Sequence, residues 1–258
     1  MADNEDAVVE WSFFGRVVPE RVTLIVDLPE VGMSLDAADV KLSVTLHIHQ
    51  CQIVATIKVF GGDPDVLTLR NAVEGYCRDV VDIIGFQSGM SFDVDIISCT
   101  SSRGGWNIFA SEIPVLFSKK GGGPTSISSD VLNAVFSQPH ASIALADFRE
   151  AMRVPLQTGF FCYRAVEAMM QSMKASPNAK DGPAWFKLRQ TLRLEEEAIL
   201  FIKGHADWAR HGKIGNISDA DRAQIFEITD EVIARYLKYL EGGETPLGPE
   251  VGMLAAPT

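Results

Sequence analysis

Positive charge is scarce in this chain. Its 258 residues hold 23 Lys and Arg against 34 Asp and Glu, a formal net charge of −11. That excludes a uniformly basic coat for gripping phosphates, so any nucleic-acid contact needs a local patch, and DNA is not an expected partner. Long apolar runs are missing as well. No stretch of about 18 apolar residues occurs, so neither a transmembrane helix nor a membrane partner is expected. Met1 to Glu10 (MADNEDAVVE) is acidic and has neither the basic nor the apolar region of a signal peptide. Cysteine is limited to Cys51, Cys77, Cys99 and Cys162, widely spaced and without a CxxC pair. Free thiols in a reducing compartment are expected, which places the protein in the cytoplasm. No repeat of about 20 to 50 residues is visible. No cofactor is expected, and no metal either, one candidate ligand set on a strand being weighed below. What remains is an apolar fraction of 47%, that of a globular chain, which excludes bulk disorder.

The apolar pattern changes period along the chain, which implies an α+β protein. Residues 1–118 read as a β-rich domain with one long helix. Val22 to Val26 is a β-branched run ended by Asp27-Leu28-Pro29. Val40, Leu42, Val44, Leu46 and Ile48 alternate with polar residues, the period of a half-buried strand. The phase then flips to Ile53, Ala55, Ile57 and Val59, so a bulge or turn is expected near Gln50 to Gln52. Asp93 to Ser98 and Trp106 to Phe109 read as two more short strands. Leu69, Val73, Cys77, Val80, Val81 and Ile84 recur at helical spacing after a Gly61-Gly62-Asp63-Pro64 turn.

Residues 119–129 form a Gly-rich linker, and residues 130–240 read as a helical bundle. The spacing predicts helices over 130–137, 141–154, 159–174, 183–194, 195–210 and 219–240. Pro183 suits the first helical position, and Ser218 suits an N-cap. Ile199, Phe201, Ile202 and Trp208 are expected to pack on Ile225, Ile228, Val232 and Ile233 of the last helix. The tail, 241–258, carries Gly242-Gly243 near its start, followed by Pro246 and Pro249, and is expected to be flexible.

Two clusters carry chemistry. His47, His49 and Cys51 alternate on a strand and could face one zinc ion, although the phase flip puts Cys51 in doubt and a solvated strand face gives the same pattern. His205, Asp207, Arg210 and His211 sit near a predicted helix end, with Gly212 placed to terminate it. Asp207 shares a face with Arg210 and His211, so its carboxylate could orient His211 as a general acid or base. Two cations at a helix C-terminus are also favoured by the dipole alone. Glu74, Asp79 and Asp82 read as a solvated helix face, and Glu195-Glu196-Glu197 as a helix start.

Phe161 to Glu167, Trp185, Leu188 to Leu192, Ile199 to Lys203, Ala209-Arg210-His211-Gly212 and Tyr236 to Leu240 together resemble the HEPN group of helical domains. A β-rich domain ahead of such a bundle is similar to ApeA-type phage-defence proteins, and the Arg-His-Gly ending to MauJ-like proteins. The resemblance implies a homodimer formed through the bundle and RNA as the partner, with metal-independent endoribonuclease activity in active members. In that group an Arg stabilises the phosphate, and a His that follows after about four to six intervening residues moves the proton. Matched on His211, the Arg slot falls on Gly204, His205 or Ala206, and the available Arg210 is adjacent instead. The implied catalytic set is His211 as acid/base, Arg210 on the phosphate, Asp207 orienting and His205 accessory. On a continuous helix His205 and His211 stand about 120° apart, so one chain does not converge them on one phosphate. The alternative is a non-catalytic sensor or adaptor, its bundle dimerising and its N-terminal domain binding a protein or small ligand.

Overall fold

The computed structural model describes residues 8–35, 40–109, 113–121, 128–212 and 217–256; of Leu35 and Trp208 it describes the backbone alone. The chain divides into two compact units, Met1–Ser111 and Glu112–Thr258.

Unit 1 is an antiparallel sheet with one helix on it. The described strands are β1 (Val9–Val18), β2 (Ile25–Leu35), β3 (Val40–His49), β4 (Gln52–Phe60), β5 (Asp93–Ser101) and β6 (Trp106–Ile108), in the spatial order β2-β3-β4-β1-β5-β6. Helix α1 (Val66–Ser88) lies between β4 and β5 in sequence. Asp65 caps it by accepting from the Leu67 and Thr68 amides, and its Leu69, Val73, Cys77 and Val81 are buried. They share a core with Phe13 and Val17 of β1 and the apolar series of β3 and β4. Each such side chain contributes about 1.5–3 kcal/mol on burial.

The hairpin β3–β4 turns on two residues, Gln50 and Cys51, with φ of 50° and 65°. A left-handed pair matches the twist of the flanking strands, which is how the apolar phase flips. β2 does not stop at Asp27-Leu28-Pro29 as expected. It runs on through a register shift between Leu28 and Val31. The prolyl residue is tolerated because β2 is an edge strand and the bulge absorbs the missing donor.

Unit 2 holds the helices α2 (Pro114–Lys119), α3 (Ser129–Ser137), α4 (Pro139–Arg153), α5 (Thr158–Ser172), α6 (Asp181–Leu192), α7 (Glu196–Gly204), α8 (Asp207–Arg210) and α9 (Asp219–Glu241). Ser128 and Ser218 cap α3 and α9, their hydroxyls accepting from the backbone amides of Val131 and Asp221. Ile199, Ile202, Ile225, Ile228, Val232 and Ile233 join one buried core, with Phe201 packed at its edge.

Four expectations are corrected here. Lys119 ends α2 instead of opening a linker: its ammonium sits 3.2 Å from the buried Asp230 of α9, and that of Lys120 lies 2.5 Å away on the other carboxylate oxygen. The remainder of the Gly-rich segment, 122–127, lies outside the described residues. The helix expected over 195–210 breaks at His205. The one expected from Pro183 starts earlier, at Asp181, with Lys180 as the cap residue. The tail, expected to be flexible, is pinned up to Leu254. Arg235, almost wholly buried, donates to the carbonyls of Leu192, Arg193 and Gly252, and the Leu254 backbone pairs with Arg193 and Glu195. Backbone hydrogen bonds outweigh the breaker composition there.

Candidate functional site

The site is built where α5 meets the break between α7 and α8. α7 ends at Gly204 and the backbone tightens, the amides of His205 and Ala206 donating to carbonyls three residues back. The turn packs against Gly159 of α5. A Cβ at that glycine would lie 2.5 Å from the His205 carbonyl oxygen and 2.7 Å from its carbon, so only glycine permits this approach. Ala206 is fully buried, and the single turn α8 carries Asp207 to Arg210 past α5. Gly212 then ends the segment at φ 66°, in the left-handed region.

Arg210 is the centre of this corner. Its guanidinium carbon lies 5.7 Å from the centre of the Tyr163 ring. One of its terminal nitrogens is 4.0 Å from Glu167 Oε1 and 4.0 Å from Asp207 Oδ1. Tyr163 in turn stacks on Trp185 of α6, ring centres 6.0 Å apart. Tyr163 and Glu167 stand four residues apart on α5, so one helix face presents both. Burial raises the Glu167 carboxyl above its ordinary range; the positive charge of Arg210 opposes that rise, and Asp181 adds to it. The Tyr163 hydroxyl is pushed up to about 12, by burial first and by the charge of Glu167 next.

The four expected residues are therefore not gathered on one point. Asp207 faces Arg210, and the backbone amide of His211 donates to the Asp207 carbonyl at 3.2 Å. The His211 ring is exposed and has no hydrogen-bond or ion-pair partner among the described residues. His205 is half-buried, its ring edge-on to Phe201 with centres 5.1 Å apart. Lys213 and the Trp208 side chain lie outside what is described. Tyr163, Glu167 and Trp185, which complete the corner, are not predicted from residue chemistry. Their signal is the i, i+4 pairing of Tyr163 with Glu167 on a helix.

On β3, His47 and His49 share the exposed face, and His47 Nδ1 lies 2.7 Å from Asp27 Oδ1. Cys51 instead turns inward at the hairpin tip, fully buried, its thiol donating to the Val22 carbonyl at 2.7 Å. Among the described residues no group of three His, Cys, Asp or Glu could hold a metal ion. All four cysteines are free and buried, and burial pushes the thiols of Cys77 and Cys162 up to about 12.

Glu74 departs from the solvated face it was assigned to. It is buried, its carboxylate 2.6 Å from Arg70 and 2.9 Å from Arg78, and Arg78 also pairs with Asp93. Asp79 and Asp82 are exposed, as expected. No helix of the described residues is long and apolar enough to cross a membrane.

Two family models match the chain: the N-terminal domain of a domain of unknown function (DUF8168) over residues 11–109, and its C-terminal domain over 128–241. Neither the curated proteins nor the solved structures provide a match. The two matched segments cover most of the chain and follow its division into units, and the chain belongs to the DUF8168 family.

Proposed function

We propose that the protein is a HEPN-like, non-catalytic binding protein: an adaptor or sensor whose bundle presents the Arg210 corner to a partner and whose N-terminal unit recognises a ligand. The carrying observation is the surroundings of Arg210. Two carboxylates and the face of Tyr163 already occupy its guanidinium. Glu167 and Asp207 offset the charge of Arg210, which weakens its pull on a phosphodiester. General acid/base catalysis needs an oriented imidazole, and the ring of His211 has no orienting partner among the described residues.

The experiment is metal-free incubation of purified chain with mixed cellular RNA, beside His211→Ala. The adaptor reading expects the same RNA profile from both proteins. Cleavage present in the native chain and lost in His211→Ala overturns it in favour of the second reading, a metal-independent endoribonuclease. That reading draws on one feature, an exposed histidine adjacent to an arginine at the close of a helical turn. There His211 would move the proton and Arg210 would carry phosphate charge. A bundle-mediated homodimer would bring two corners together, with His205 accessory.

A further inference from the structure

One face of the sheet in unit 1 is covered by α1; the other is not covered by any described element of that unit. Registered pairing puts Thr45, Thr56, Ser12, Thr100 and Trp106 in a single row across β3, β4, β1, β5 and β6. Directly paired residues share a face, and at about 4.8 Å per strand this row is about 19 Å long. It lies on the open face, because its neighbours in sequence, Leu46, Ala55, Phe13 and Cys99, are fully buried on the side of α1. The hydroxyls of Ser12, Thr45 and Thr56 make no hydrogen bond among the described residues, and that of Thr100 donates to the Gly105 carbonyl at 2.8 Å. At the end of the row Trp106 is 60% exposed and stacked on Phe14, ring centres 5.5 Å apart and planes 18° from parallel.

Most charges of this face are matched in pairs, Glu10 beside Lys58 being an exposed carboxylate without an ion pair among the described residues. Arg16 binds Asp95 and Glu20, Lys58 binds Glu30, and His47 lies against Asp27. Lys41 and His49 stand at opposite ends of β3, away from the aromatic pair. A line of hydroxyls with free hydrogen-bonding capacity, an exposed aromatic surface and no concentrated charge suits a ligand that is neutral, rich in hydroxyls and apolar on the faces of its rings. A nucleic-acid strand also stacks on aromatics, but it demands unpaired cations along its backbone.

We propose that the open sheet face binds a neutral oligosaccharide, a sugar ring stacking on Trp106, which Phe14 backs, and its hydroxyls exchanging hydrogen bonds with Thr100, Ser12, Thr56 and Thr45. This names the ligand class for the binding-protein reading of the N-terminal unit and rests on that reading. It is tested separately, since the RNA experiment reads the other unit.

The test is calorimetric titration of the full chain with cellohexaose, maltohexaose and chitohexaose, and with oligouridylate as the anionic comparator. At least one neutral hexasaccharide binds, and Trp106→Ala weakens it by about tenfold, equivalent to about 1.4 kcal/mol. Thr56→Val, which keeps the shape and the strand propensity, weakens it by a smaller factor. Phe136→Ser, on the exposed surface of α3, leaves it unchanged. The proposal is overturned if none of the three sugars binds, if folded Trp106→Ala and Thr56→Val both bind as the native chain does, or if oligouridylate binds in a manner lost in Trp106→Ala.

Discussion

Gly159→Ala tests how the Arg210 corner is assembled. The added methyl would stand 2.5 Å from the His205 carbonyl oxygen, 2.7 Å from its carbonyl carbon and 2.9 Å from its Cβ. Two of these three atoms are backbone, so the clash is relieved only by moving the α7–α8 turn away from α5. Overpacking of this kind costs about 1–3 kcal/mol. For a unit of this size that lowers the melting midpoint by roughly 2–12 °C. The paired control is Gly204→Ala, at the end of α7, where the methyl meets nothing within 4 Å. It removes the helix penalty of glycine and raises stability by up to about 1 kcal/mol. The assay is calorimetric unfolding, with the transition of unit 2 identified by its response to Leu188→Ala, a deletion in that core. A neutral Gly159→Ala, or a Gly204→Ala that destabilises more than Gly159→Ala, refutes the close-approach argument.

Among the acids of α1, Glu74→Ala leaves Arg70 and Arg78 without their buried partner and lowers stability by about 3 kcal/mol, whereas Asp79→Ala and Asp82→Ala stay within about 0.5 kcal/mol in chemical denaturation. Arg235→Ala strands three carbonyls, costs about 3 kcal/mol and removes hydrogen-exchange protection from the amides of Leu254 and Glu195. Glu167 has a folded pKa above its ordinary 4.5, so the folded state holds that proton longer than the unfolded chain. Its contribution is complete below the ordinary glutamate value and is lost as pH rises through the folded one. The melting midpoint of unit 2 therefore falls less steeply with rising pH in Glu167→Gln than in the native chain, and an unchanged slope contradicts the burial argument.

The fold was legible wherever one local signal dominated. The alternation of Val40 to Ile48, and its flip at Gln50-Cys51, is set by a half-buried hairpin with a two-residue turn. The long helices α1 and α9 follow from their apolar spacing, from the Gly61-Gly62-Asp63-Pro64 turn ahead of α1 and from the cap at Ser218. What was not legible depends on partners distant in sequence. Pro29 marks a strand end only if its strand is central, and position at the edge is a property of the sheet. Gly204 looks tolerable inside a helix until Gly159, on another helix, draws the His205 backbone in. The tail reads as loose because its residues are breakers, yet Arg235 supplies donors to it from α9. At the candidate site, Arg210, His211 and the neighbouring Asp207 are visible as chemistry, but the rest of the surroundings of Arg210, Tyr163 and Glu167, comes from α5. Local spacing around residue 210 carries no trace of them.

The most direct measurement of the central claim releases Arg210 from its carboxylates. Glu167→Gln combined with Asp207→Asn removes both flanking charges while keeping the size of each side chain. Binding of labelled single-stranded RNA at low salt is then followed by fluorescence anisotropy, beside the native chain. If the paired carboxylates set the character of the corner, the double variant gains affinity by about tenfold or more and that gain disappears in an added Arg210→Ala. A native chain that already binds RNA as tightly as the double variant contradicts the account.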